Sequence, residues 1–426
     1  MNLSRKWLNE FVDLSLEEKN DHDFAEAMTM SGSKVEGTHY MGEGISKVVV
    51  GKIVQMDLLW DAGDSGKHTL WNCKVDVGGD RLLQIVTGAQ NQKVGDLVPV
   101  ALDGATLPGG VNIGTTTFHG EVSEGMMCSI KELGLTLHDF PYAIEDGLFI
   151  LQEPCKPGDD IVPVIGRDDH VVEFEITPNR PDCLSVIGLA REAAVTFEKP
   201  LKLHEPVVKG SGGDINELVK VDVENPELCP RYTARMVRNI KIGPSPKWMR
   251  ERITAMGMRP INNIVDITNY VMMEYGQPMH AFDYRYVKGG HIIVRRAEEG
   301  EELTTLDGNV RKLTANHLVI ADEHRAVGLA GIMGGLNSEI VADTTDVVFE
   351  SACFDGTCIR KGALSLGMRT EASAKFEKGL DPLNTLPAVQ RACELVELLG
   401  AGEVVDGVID ILNYVPQPHT IRMDPE

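Results

Sequence analysis

The 426-residue chain has eight cysteines but no CxxC pair; its closest two, Cys353 and Cys358, have no second pair beside them. A zinc site built on paired thiolates is therefore not expected, and neither is any other metal set; reduced thiols are the plain reading. No apolar run reaches the ~18 residues of a membrane-spanning helix. The N-terminal MNLSRKWLNEFVDLSLEEKN is interrupted by charge every few residues, so it lacks the apolar core of a signal peptide. Those two absences point to a cytoplasmic protein without a membrane partner. Basic charge is also scarce: 41 Lys and Arg face 64 acids, a formal net charge of -23. A generic nucleic-acid binder should be basic overall, so any RNA contact must use a local basic surface. HExxH, GxSxG and GxGxxG contexts are missing. GDSGKHT at 63–69 superficially resembles a phosphate-binding loop. The glycine that such a loop needs five residues before its Gly-Lys is Asp61 here, whose carboxylate would repel phosphate.

What is present is ordinary globular texture, 42% apolar and 25% charged. At roughly 150 residues per domain, this length suits about three domains. Residues 4–31 read as helical: Ser4 can cap a helix carrying Trp7, Leu8, Phe11 and Val12, and a second helix carries Phe24, Ala25 and Met28. From about Gly44 to Phe149, short strand-like runs (47–54, 71–77, 82–87, 98–102) alternate with Gly, Pro and Asp turns, which suggests a small all-β barrel. Helical texture returns at 183–197. Lys209-Gly210-Ser211-Gly212-Gly213-Asp214 is the most linker-like stretch and suggests a domain boundary.

Residues 215–400 read as one α+β domain. Strands are expected near 218–223, 232–240, 291–295, 318–321, 326–329 and 346–350, with helices at 246–256 and 386–399. Ser245 is the candidate cap of the first helix, with Pro246 at its first position and Gly257 at its end. Gly400 stops the second. The stretch 399–426, ending Met423-Asp424-Pro425-Glu426, reads as the opening of a further module cut short.

Several blocks carry a resemblance. MNLSRKWLNEFVDL (1–14), LPGGVNIGTTTFHGEVSEGMMCSIKELGL (107–135), FEITPNRPDCLSVIGLAREAA (174–194), INNIVDITNYVMMEYGQPMHAFD (261–283), IADEHRAVGLAGIMGG (320–335) and RTEASAKFEKGLDP (369–382) resemble, in the same order, segments of the bacterial phenylalanine-tRNA synthetase beta subunits. The resemblance implies a multidomain α+β architecture. Residues 1–40 with 151–205 would form a discontinuous helical module. An OB-fold of the tRNA-binding type would be inserted at 41–150. Residues 208–398 would form a B3/B4-type editing domain that hydrolyses mischarged tyrosyl-tRNA(Phe). The resemblance also implies a two-alpha, two-beta assembly with the alpha subunit, tRNA(Phe) as partner, and aminoacylation located in the alpha subunit. Mg2+ and ATP would then serve the complete synthetase, and no cofactor would serve this part. The alternative is a non-catalytic module for tRNA docking or assembly.

An editing pocket that distinguishes tyrosine from phenylalanine must accept one hydroxyl, hold the ester carbonyl and position a water. Residue by residue, the resemblance implies that Glu350 recognises the tyrosine hydroxyl and that His280, on a loop fixed by Pro278, orients the ester or the water. Thr268 and Asn269 would contact the adenosine or ester, Thr370 and Ala372 would form the opposite wall, and Gly331, Gly334 and Gly335 would let backbone amides approach. From the residues alone, Glu350 is as well read as a strand-end carboxylate in a salt bridge, and His280 as a core histidine bonded to backbone.

Between Glu43 and Asp146, seven Lys and Arg face fourteen acids, so strong independent tRNA binding by the barrel is not expected. Between Arg231 and Ile261, eight basic residues face the single acid Glu251. Arg231, Arg235, Arg238, Lys247 and Arg250 in that run are the expected surface steering the tRNA acceptor end; a solvated face is the alternative.

Overall fold

In the computed structural model, which describes residues 1–60, 69–414 and 417–424, the helix Arg5–Leu8 begins where Ser4 accepts a hydrogen bond from the Trp7 amide. Asn20 caps Asp21–Met30 in the same way. Between them the chain is not helical, because Arg5 is buried and turns its guanidinium onto the carbonyls of Leu14 and Lys19 and onto Asp21. The strand Asn2–Ser4 pairs with His170–Phe174, which pairs in turn with Val35–Tyr40. One three-stranded sheet thus joins segments about 130 residues apart, and the 41–160 region is an insertion into it.

The inserted region is a strongly curled antiparallel sheet. Its order is Gly125–Met127, Leu97–Leu107, Ser46–Trp60, Leu70–Asp76 and Leu83–Thr87. The two ends meet, since the Glu124 amide donates to the Gln84 carbonyl and the Val86 amide to Ser123 Oγ. GDSGKHT lies outside the described residues except for Thr69.

The remaining residues form a mixed α+β body with two sheets. In one, Lys220–Val223 runs parallel to His291–Arg296, followed by Leu318–Ala321, Ala326–Leu329 and Met333–Gly334. In the other, Val347–Cys353 lies between Met279–Asp283 and Arg231–Arg238. All seven residues of Val347–Cys353 are buried, so the strand reads as a continuous run instead of an alternating one. Each such valine or phenylalanine contributes about 1.5–3 kcal/mol by leaving water. Glu350 therefore sits mid-strand, not at the strand end expected from DVVFE.

Other expectations are corrected. Pro246 itself occupies the cap position of Lys247–Ala255, with no side-chain cap; the Ser245 hydroxyl donates instead to Asp266 at 2.5 Å. The segment after it is the helix Asn263–Tyr275, which sequence reasoning left unassigned. Its β-branched content hides a helix that Asn262, accepting from the Ile264 and Val265 amides, and left-handed Gly276 delimit. Residues 209–214 are not a free tether, because the Lys209 and Gly210 amides bond Glu397 and the Ser211 amide bonds the Val404 carbonyl. One hydrophobic core also runs across that boundary, from Trp7, Phe24 and Leu189 to Met249, Tyr270 and Val396. Nor does the sheet end at 398: Glu403–Val404 and Ile409–Leu412 both pair with Arg231–Arg238, so this part of the tail completes the preceding domain.

Candidate functional site

The candidate site grows out of the strand register. His280 lies directly opposite Glu350, and Glu350 directly opposite Ala234. Directly opposed residues point to the same face of a sheet, so the imidazole and the carboxyl are side by side. Tyr232, opposite Ala352, is on that face one diagonal step away, within reach of a long side chain. Its hydroxyl donates to Glu350 Oε2 at 2.7 Å, and both groups are buried. The loop leading to His280 is held by Gln277, whose buried side-chain amide donates to the Ala352 carbonyl at 2.8 Å. The His280 ring meets Phe282 edge-on, with centroids 4.5 Å apart.

Over this face lies a small cavity of about 70 Å³. Its lining includes His280, Phe282, Glu350, Gly334, Ala372 and Phe376. Met279 and Met333 also line it, and their unbranched side chains allow the walls to adjust. Gly334 cannot carry a side chain, because a Cβ there would lie 2.3 Å from His280 Cε1 and 2.8 Å from Nε2. Gly331 adopts φ +65°, where other residues are strained, and a Cβ there would crowd Phe376 and Ile359. The short helix Glu371–Phe376 supplies Ala372 and Phe376. Thr370 fixes that helix by capping it and by donating from Oγ1 to the Ile332 carbonyl at 2.8 Å.

Burial sets the charge states. It pushes the Glu350 carboxyl up to about 7, an effect the Tyr232 hydrogen bond opposes. It lowers His280 to about 4, so the imidazole is neutral near pH 7. His280 Nε2 is buried and makes no hydrogen bond among the described residues. An orphaned imidazole nitrogen beside a partly ionised carboxyl can orient a water or an ester oxygen, while the carboxyl accepts from a hydroxyl.

Two family models match. One described as a B3/4 domain covers residues 228–401, which contain this cavity, and one described as a putative tRNA binding domain covers 48–160, the curled sheet. The phenylalanine–tRNA ligase beta subunit of Clostridium acetobutylicum is 47% identical over the whole chain, and that of Moorella thermoacetica 45%. The chain is a homologue of phenylalanine–tRNA ligase beta subunits. It spans about half the length of these curated relatives, 52% of each. A solved N-terminal fragment of a phenylalanyl-tRNA synthetase beta subunit from Pyrococcus horikoshii overlaps 57% of this chain and 67% of its own. Its TM-score of 0.32 at 14% identity is too low to support a shared fold.

Against the residues that this family resemblance singled out, the structure gathers His280, Glu350, Gly331, Gly334 and Ala372 around one cavity. Thr268, Asn269, Thr370 and Gly335 are not among its lining residues. The Thr268 hydroxyl is spent on the Val265 carbonyl within its own helix. The Gly335 amide donates to the Val327 carbonyl, so it is not free for a substrate.

The basic run is corrected too. Arg231, Arg235 and Arg250 are buried. Arg231 pairs with Asp410 at 2.8 Å, Arg235 donates to Gln390, and Arg250 donates to the carbonyls of Asp139 and Ser245. Lys247 pairs with Glu251, and Arg238, though exposed, pairs with Asp346. Local charge counting missed this because the partners of Arg231, Arg235 and Arg238, and the Asp139 carbonyl that Arg250 bonds, are distant in sequence. Among the described residues, Asp182, Cys183 and Glu192 form the one group close enough to share a metal, and Arg180 already bridges its two carboxylates.

Sequence reasoning also missed Tyr232, Phe282 and Phe376. Tyr232 had one signal: an aromatic hydroxyl at an apolar position of the buried strand RYTARMVR needs a buried partner.

Proposed function

We propose that this chain hydrolyses tyrosyl esters of mischarged tRNA(Phe), within the editing half of a phenylalanine–tRNA ligase beta subunit. The observation that carries the reading is the juxtaposition of a buried carboxyl, Glu350, with the neutral, unpartnered His280 in a glycine-walled apolar cavity. An aromatic ring enters between Phe282, Phe376 and Ala372. Its phenol donates to Glu350, an interaction that phenylalanine cannot make. A site with a dedicated hydroxyl partner can favour the hydroxylated substrate by roughly 10⁴-fold. His280 then orients the water or the ester.

In this reading the curled sheet over 41–150 is an OB-fold, the body over 208–398, extended by the strands to Leu412, is the editing domain, and residues 1–40 with 151–205 are the helical module that seats both. The acidity of the sheet assigns it auxiliary contacts to tRNA, not tight binding. Aminoacylation, with its Mg2+ and ATP, belongs to the two-alpha, two-beta cytoplasmic enzyme.

The test is deacylation of tyrosyl-tRNA(Phe) and phenylalanyl-tRNA(Phe) by the chain and by Glu350→Ala. Fast hydrolysis that favours tyrosine, with that preference lost in the variant, supports the reading. tRNA binding without ester cleavage would replace it with a docking module.

A further inference from the structure

Among the described residues, Glu350 is the only carboxyl on the cavity wall, and what lies behind it has no assigned role. Tyr232 is wholly buried and does not line the cavity. Its hydroxyl bonds Glu350 Oε2, and among the described residues this is the one hydrogen bond that the Glu350 carboxyl accepts. Among the described residues, the pair belongs to no ion-pair network. The titratable groups near Glu350 are Tyr232 and Cys229 at the Arg231–Arg238 strand and neutral His280 on the opposite strand. On the helix Glu371–Phe376, Lys375 turns away and donates to the Leu184 carbonyl. A phenylalanine would fill the space of Tyr232 equally well, so packing does not explain the hydroxyl.

We infer that Tyr232 is a positioning residue for tyrosine selectivity: its hydroxyl holds one oxygen of Glu350 so that the other stands fixed in the cavity as the acceptor for a substrate phenol. The inference rests on the editing function proposed above. Two effects follow. A tethered carboxyl offers its free oxygen in one direction instead of several rotamers. The same hydrogen bond favours the ionised form, which is the stronger acceptor.

The experiment compares the full chain with Tyr232→Phe, Glu350→Gln and the double variant. It reads the ratio of kcat/KM for tyrosyl-tRNA(Phe) over phenylalanyl-tRNA(Phe) between pH 5.5 and 9, and the Glu350 carboxyl titration by carbon NMR. In the unaltered chain, selectivity rises with pH around 7. In Tyr232→Phe the carboxyl titrates higher, the selectivity midpoint moves up with it, and selectivity at pH 7 falls about tenfold. In the Glu350→Gln background, adding Tyr232→Phe changes selectivity less than twofold, because the effect passes through Glu350. A selective wild type whose Tyr232→Phe variant keeps both the midpoint and the ratio overturns the inference alone. A well-folded wild type without tyrosine-selective hydrolysis overturns the editing function as well.

Discussion

Replacing Glu350 by glutamine keeps the shape of the side chain while removing its charge and one of its two acceptor oxygens. The glutamine carbonyl can still accept from Tyr232, whose hydroxyl donates at 2.7 Å, so the buried phenol keeps its partner and the strand its packing. With that carbonyl engaged, the group facing the cavity becomes the amide NH2, which donates and cannot accept from a substrate phenol. A hydrogen bond to a charged acceptor is worth about 1.5–3 kcal/mol. Losing that bond costs at least about 1.5 kcal/mol, which converts to roughly tenfold or more at 1.36 kcal/mol per decade. The measurement belongs at pH 8, because burial pushes the wild-type carboxyl up to about 7 and it must be mostly ionised for the contrast to show. The assay is the ratio of kcat/KM for hydrolysis of tyrosyl- over phenylalanyl-tRNA(Phe), with folding checked by urea unfolding. The expected result is a tenfold fall in the ratio for Glu350→Gln and about a hundredfold fall for Glu350→Ala. A Glu350→Gln ratio within twofold of wild type would refute the reasoning, since no charged acceptor could then be reading the hydroxyl.

Other consequences concern pH, packing and the tail. Glu350 rises to about 7 on folding, so the native state holds a proton that the unfolded state releases above its ordinary carboxylate pKa; this contribution is lost as pH climbs to about 7. His280 falls to about 4, so its contribution is lost as pH drops from about 6.5 to 4. The two slopes oppose each other between about pH 4.5 and 6.5, so urea unfolding of wild type should change little there, while Glu350→Gln alone gains stability with pH and His280→Asn alone loses it. Gly334→Ala should cut hydrolysis at least tenfold, because its Cβ would strike the His280 ring; a variant of unchanged kcat would show that the ring position is immaterial. Arg250→Ala should cost about 1.5–3 kcal/mol in unfolding free energy by leaving the Asp139 and Ser245 carbonyls unpaired, without altering the salt dependence of tRNA binding. Ending the chain at 398 should lower the thermal midpoint sharply, because it strips two strands from Arg231–Arg238 and leaves buried Arg231 without Asp410.

The sequence alone determined much of what depends on neighbours along the chain. The caps at Ser4, the stops at Gly257 and Gly400, the strands Leu318–Ala321 and Ala326–Leu329, and the helix ending at Leu399 were all legible, because each is set by local backbone preference and by apolar spacing. The family motifs likewise pointed to His280, Glu350, Gly331, Gly334 and Ala372 before any fold was visible. Tertiary structure decided which of the singled-out residues converge. Thr268 sits in a helix whose β-branched residues concealed it, and its hydroxyl is consumed there. Arg231, Arg235 and Arg250 looked like a basic surface until partners from up to 179 residues away buried them. Tyr232 became visible only once strand register placed it diagonally from Glu350. Charge, burial and hydrogen bonding are settled by whatever arrives across the sheet, and a linear sequence does not show which strand that is.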